Sequence, residues 1–151
     1  MPIPSTPNSD ANLFDEALMA AAIAAAAHAY APYSGFRVGA ALRLASGQLV
    51  TGANVENVSF GLTLCAERSA LVRAVAEFGP TLRITAVAVA NLNHAASPPC
   101  GACRQVLAEF CSPETLIHFP ALDPGEFVEG KLIQLTRRFS DLMPFTFHLK
   151  P

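Results

Sequence analysis

Two short stretches, "TLCAERSA" at residues 63–70 and "PPCGACRQVL" at residues 98–107, constrain this chain more than any other feature, because each places cysteine where a helix is about to begin. The unpaired N–H groups and the dipole of a helix start favour anions, and so favour thiolate over thiol. Cys100 and Cys103 stand three residues apart and share one side of their helix. For Cys65 to join them, two helix starts must face each other, and the chain between them must run out and come back.

The intervening pattern allows that return. A helix from about Leu64 stops at Gly79-Pro80, and "RITAVAVAN" then reads as a short apolar strand leading to the second cysteine stretch. Upstream, Asp10 or Ser9 caps a first helix running to about Tyr30, and "FRVGAALRL" and "QLVTGANV", joined by "ASG", form a hairpin. The apolar run of the first hairpin strand predicts burial on both faces. Downstream, "CGACRQVLAEFC" reads as one helix and "TLIHFPA" as a strand; "KLIQLT" suits a fifth strand and "RFSDLMP" a helical turn. The order predicts a three-layer α/β/α sandwich around a mixed sheet of about five strands. Residues 1–9 read as a frayed tail and residues 10–151 as one domain.

Charge narrows the partners. The net charge is −2, with no run of Lys or Arg, so the basic footprint of a polynucleotide binder is missing. Charged residues make up 15% of the chain and hydrophobic ones 52%, against about 25% charged in ordinary soluble domains; association of subunits is the expected remedy for exposed apolar surface. The run "ALMAAAIAAAAHAYA" has no basic residue before it and falls short of the ~20 residues that span a bilayer. The expectation is a cytoplasmic protein with reduced thiols and no membrane contact.

Three thiolates at Cys65, Cys100 and Cys103 suit zinc, one ion per subunit, with a fourth position left for water, as in catalytic rather than structural sites. On the predicted helix Cys111 lies about 16 Å further along the axis, at ~1.5 Å per residue, and is expected to be a buried apolar residue. A Zn²⁺ with three thiolates carries a net −1 and acidifies water weakly, so Glu67 is placed to take the water's proton, while Arg68 and Arg104 offset the excess negative charge. A structural zinc knot would need a second C-x-x-C or an H-x-x-x-H, and none is present. The four histidines, at 28, 94, 118 and 148, have no spacing that suits a metal and are read as structural, with His94 the one to re-examine.

"CAE" followed by "PCGAC" resembles the C/H-x-E…P-C-x-x-C pattern of zinc-dependent nucleobase deaminases. "APYSGFRVGAAL", "TGANVENVSFGLTLCAERSAL" and "SPPCGACRQVLAEF" extend the resemblance to the small homotetrameric cytidine deaminases over most of residues 14–112, and "LMPFTF" is similar to that family's closing segment. The resemblance implies hydrolytic deamination of free cytidine and 2′-deoxycytidine in pyrimidine salvage, with zinc-activated water attacking C4 and Glu67 as proton shuttle. It also implies that Phe36 packs on the pyrimidine and that Asn54 and Glu56 bind the ribose hydroxyls. The backbone at Ala66 would then meet the base edge, and Phe147 would enter a neighbouring subunit's site in a homotetramer with shared active sites. Phe60 stands where the family usually has a tyrosine that can touch the sugar's 5′ side, and residues 113–141 depart from the family segment.

Two rivals remain at this point. One is a deaminase of another cytosine-bearing compound, of the blasticidin S type, which "NVEN" argues against because that contact suits a ribose diol. The other is a non-catalytic zinc-stabilised module.

Overall fold

Small residues decide how closely the helices approach the sheet in the computed structural model, which describes residues 10–122 and 131–149. Strands β1 (Val38–Leu44), β2 (Leu49–Ala53), β3 (Ile84–Asn91), β4 (Cys111–Leu122) and β5 (Leu132–Arg138) form one sheet in the order β2-β1-β3-β4-β5. Only β3 and β4 pair in parallel; β1–β2, β1–β3 and β4–β5 are antiparallel. Helix α1 (Glu16–Ala26) covers one face, while α2 (Ala66–Phe78) and α3 (Gly101–Leu107) meet on the other, where α4 (Phe139–Leu142) also contributes its buried Phe139. This is the expected three-layer mixed sandwich with five strands.

Alternation along the strands builds two cores. Ala40, Leu42, Val87, Val89, Ile117 and Phe119 point to the α2 side, joining Ala66, Ala70 and Ala74 of that helix. Ala41, Ala86, Ala88 and Ala90 point the other way and meet Leu18, Met19 and Ala22 of α1. The burial of both faces of β1 agrees with the sequence expectation.

Gly52 lies against α2, where a Cβ would overlap the Ala70 nitrogen and the Ala66 carbonyl oxygen. Since α2 begins at the site described below, this contact sets both packing and function. Gly52→Ala is expected to cost about 3 kcal/mol, at the upper end of overpacking penalties, and to lower the melting temperature by roughly 6–12 °C. Gly61→Ala is the control, because among the described residues no heavy atom beyond its chain neighbours lies within 4 Å of its would-be Cβ. Thermal denaturation of both variants checks the contrast, and equal melting temperatures would refute the packing argument.

Two boundaries differ from the sequence expectation. The first helix starts at Glu16 rather than near Asp10, because Asp15 is the residue that caps it: its carboxylate accepts from Leu18 N at 2.9 Å and is held by Arg43 Nε at 2.8 Å. Residues 11–13 form a separate 3-10 turn, and the helix ends at Ala26, after which Tyr30 pairs with Val55 in an isolated bridge. The third helix ends at Leu107 rather than running through Cys111, which opens β4 opposite Ile84. Between Cys111 and Leu116 the strand bulges; there Thr115 Oγ1 accepts from Ser112 N and donates to Ile84 O, both at 2.9 Å. Pairing with β3 outweighs the helical periodicity of "CRQVLAEFC".

The expected fifth strand and following helical turn are both present, as β5 and α4. The N-terminal segment 1–9, residues 123–130 and residues 150–151 lie outside the described residues. Among the described residues no helix is long and apolar enough to cross a membrane.

Candidate active site

The N-termini of α2 and α3 converge beside the outgoing ends of β2 and β3. Cys65 is the N-cap of α2 and Cys100 the N-cap of α3, where its sulfur accepts from Cys103 N at 3.4 Å. The sulfurs of Cys65 and Cys100 are 4.0 Å apart, and all three sulfurs lie within 4.8 Å of one another. Tetrahedral zinc with Zn–S bonds of ~2.3 Å needs sulfurs about 3.8 Å apart, so the three thiols fit zinc with a small contraction. Cys103 is fully buried, whereas Cys65 and Cys100 open onto a cleft of about 410 Å³.

Electrostatics prepare the cluster for a cation. Hydrogen bonding from Cys103, and then donation from Arg68, holds the Cys65 thiol down at about 5 against the desolvation that opposes it. The same bond pushes Cys103 upward, with burial adding to it, so the two thiols share protons as one unit. Arg68 Nη2 lies 3.4 Å from Cys65 Sγ and 3.3 Å from Thr63 O. Arg104 is occupied differently: its Nε donates to Pro99 O at 2.8 Å and its Nη1 to Leu142 O at 3.0 Å, tying the cysteine loop to the last residue of α4.

Glu67 is 4% exposed, in the first turn of α2, and lines the same cleft. Burial pushes its carboxyl up, and the neighbouring Cys65 adds to the rise. A carboxyl so placed holds and releases a proton nearer neutrality than an exposed one.

The rest of the cleft is lined mainly by three segments, at residues 34–38, 54–63 and 96–98. Phe36, Asn54, Glu56 and Ala66 line it. Asn54 is buried and already braced, accepting from Val38 N at 2.9 Å and donating to Phe36 O at 2.8 Å. Its second amide hydrogen and second lone pair remain for a ligand. Glu56 accepts from Tyr33 N at 2.9 Å and Ser34 N at 3.2 Å, and from the Ser34 hydroxyl. These bonds, the serine hydroxyl first, hold its carboxyl below the usual carboxylate range.

Phe60 and Phe147 do not line the cleft of the single chain; they are 75% and 67% exposed, and Phe60 meets Tyr33 edge to face at 6.0 Å. Sequence reasoning missed Ser34, Ser97, Asn91 at the end of β3 and Asn93 in the loop after it. The sequence signal for them was their polarity among small and apolar neighbours. Cys111, half-buried at the start of β4, packs against the main core, and burial pushes its thiol up to about 12.

A mixed sheet carrying three converging thiols and a buried carboxylate defines an α/β domain with a metal-competent hydrolytic site. The chain belongs to the family of the cytidine and deoxycytidylate deaminase zinc-binding region, whose sequence model matches residues 13–119. It is 43% identical over 130 residues to a cytidine deaminase of Halalkalibacterium halodurans, covering 86% of this chain and 91% of that protein. The crystal structure of cytidine deaminase from Mycobacterium tuberculosis is similar at 43% identity with a TM-score of 0.71, over 88% of this chain and 96% of that one. That of Burkholderia pseudomallei cytidine deaminase gives 40% identity and a TM-score of 0.71, over 89% and 99%.

Proposed function

We propose that this chain hydrolyses cytidine and 2′-deoxycytidine to the uridine products and ammonia, with residues 10–151 acting as one zinc-dependent domain. The observation that carries the reading is the placement of buried Glu67 beside three mutually close thiols on a cleft sized for a small ligand. The cytidine deaminase relatives, similar over most of their length, supply the substrate class.

Cys65, Cys100 and Cys103 hold zinc in this scheme. When bound, the metal supplies Lewis acidity that makes a water nucleophilic near neutral pH. Glu67 takes the proton of the attacking water, passes it to N3 of the pyrimidine, and then helps a proton reach the departing amine. Arg68 offsets the negative charge of the thiolates through its contact with Cys65. Phe36 offers an aromatic face to the base, the Ala66 backbone meets the base edge, and Asn54 and Glu56 face the sugar hydroxyls. Arg104, with its guanidinium on two carbonyls, acts by fixing the loop before Cys100.

The decisive experiment is metal content with ammonia release from cytidine. One zinc per chain with turnover supports the reading; zinc without turnover would leave a non-catalytic module. A homotetramer in the cytoplasm is part of the proposal. It is supported by the exposure of Val58, Phe60, Leu62, Phe145, Phe147 and Leu149, and Phe147 and Phe60 would then complete a neighbour's cleft. Light scattering at micromolar concentration is expected to give a tetramer mass. Ending the chain after Pro144 is expected to raise KM without removing zinc, and a fully active monomer would refute the shared site.

A further inference from the structure

Little steric packing fixes the backbone that carries Phe36. Gly35 before it has φ of +68°, and among the described residues no heavy atom beyond its chain neighbours stands within 4 Å of where a Cβ would be. Hydrogen bonds hold the segment instead, from two sides. Asn54 takes Phe36 O and Val38 N, as described above. Asn93, in the loop after β3, takes the alternate peptide groups: its Oδ1 accepts from Arg37 N at 2.9 Å and its Nδ2 donates to Gly35 O at 3.1 Å. The segment is therefore treated as a central strand is, with its groups shared between two neighbours. Leu92 N continues the second side by donating to Arg37 O at 3.0 Å.

Asn93 is itself braced. Asn91 Oδ1 accepts from Asn93 N at 2.9 Å and Ala95 N at 3.2 Å, while its Nδ2 donates to Ala95 O at 2.7 Å and Ser97 Oγ at 2.8 Å. His94, between these bonds, has φ of +51°. A non-glycine residue stays in that region only where its surroundings over-determine it, and the Asn91 amide is the group that does so here. One turn thus connects the wall carrying Phe36 to the wall carrying Ser97, although neither Asn91 nor Asn93 lines the cleft.

We propose that Asn93 is a positioning residue for substrate binding: its bidentate hold on Gly35 and Arg37 sets the Phe36 ring against the base, and Asn91 fixes Asn93 from behind. The proposal rests on the cytidine reading above. It predicts an effect on KM rather than kcat, since a stacked ring meets the base alike in ground and transition states.

The test is steady-state kinetics of the zinc-loaded protein with cytidine, for Asn93→Ala and Asn93→Asp, each also in a Phe36→Ala background. Asn93→Ala is expected to raise KM roughly three- to tenfold, the scale of a lost hydrogen bond or two, with kcat and zinc content unchanged. Asn93→Asp keeps the acceptor for Arg37 N but sets a carboxylate against Gly35 O, so KM should rise at least as far; it carries the test if the alanine variant folds poorly. With Phe36 already removed, either change should move KM less than about twofold, because coupled positions are not additive. The same rise in KM with and without Phe36, or a loss of thermal stability with KM unmoved, would overturn the proposal. A parent protein that does not deaminate cytidine at all overturns the functional reading, and this proposal with it.

Discussion

Cys100→Ala is expected to reduce zinc from one per chain to nearly none, abolish turnover and lower the melting temperature. Cys100 has two roles that no other residue duplicates: its sulfur is one of three within 4.8 Å of one another, and it caps α3 by accepting from Cys103 N. Two thiols hold zinc far more weakly than three, so the stabilisation that metal binding adds to the folded state disappears at ordinary free-metal concentrations. The sheet should survive, because its two cores are built without the cysteine cluster's help, apart from Ala66 beside it. A chelator should therefore lower the melting temperature of the parent protein and leave that of the variant unmoved. Cys111→Ala is the control; its thiol sits at the start of β4, away from the cluster, and should keep full zinc. A Cys100→Ala protein with full zinc would refute the assignment of the ligands.

Much of this arrangement was legible because local chemistry and tertiary geometry agree. Cys65 and Cys100 stand at helix N-caps, where the sequence places them, and Glu67 in the first turn of α2 cannot avoid pointing near Cys65. The apolar run "RITAVAVAN" reads as a short strand, and β3 is that strand, with buried residues on both faces. Legibility ended where distant pairing overrides local preference. Nothing within "CRQVLAEFC" says that its last residue will be drawn opposite Ile84, since the cause is a bulged ladder with β3 formed through Thr115. The start of α1 was misplaced for a similar reason: Asp10 and Asp15 are equally good caps in isolation, and Arg43 on β1 favours Asp15.

The same limit applies within the cleft. Asn54 was expected to meet the sugar, but its bonds to the backbone of Phe36 and Val38 also make it part of the frame that carries the aromatic wall. Asn91 and Asn93 carry no motif, because their partners are backbone groups that any sequence would supply. His118 illustrates a group whose role only the fold reveals: it is fully buried under the α1 layer, with Nδ1 3.0 Å from Thr136 Oγ1 and its ring edge-on to Phe14 at 5.2 Å. Desolvation holds its pKa down, so it is a neutral core residue, in keeping with a structural role.

Glu67→Gln is expected to retain zinc and lose turnover by about 10²–10⁴-fold, the usual cost of removing a general acid/base. The amide has nearly the shape of the acid, so the buried site is filled as before, but it can neither take the water's proton nor return one to the pyrimidine. Stability should move in the opposite direction to activity. Burial pushes the Glu67 carboxyl up, so the folded chain binds that proton more tightly than the unfolded chain does. A group raised in this way costs nothing at pH well below its unfolded value of about 4.3, and destabilises increasingly as pH rises from there through the folded pKa. In protein stripped by a chelator, Glu67→Gln should therefore gain little or no stability over the parent near pH 4 and gain more near pH 8. Metal analysis, steady-state kinetics and melting curves at the two pH values check the three parts separately. Loss of zinc in the variant would make Glu67 a ligand, and retention of near-parental kcat would mean that another group moves the proton.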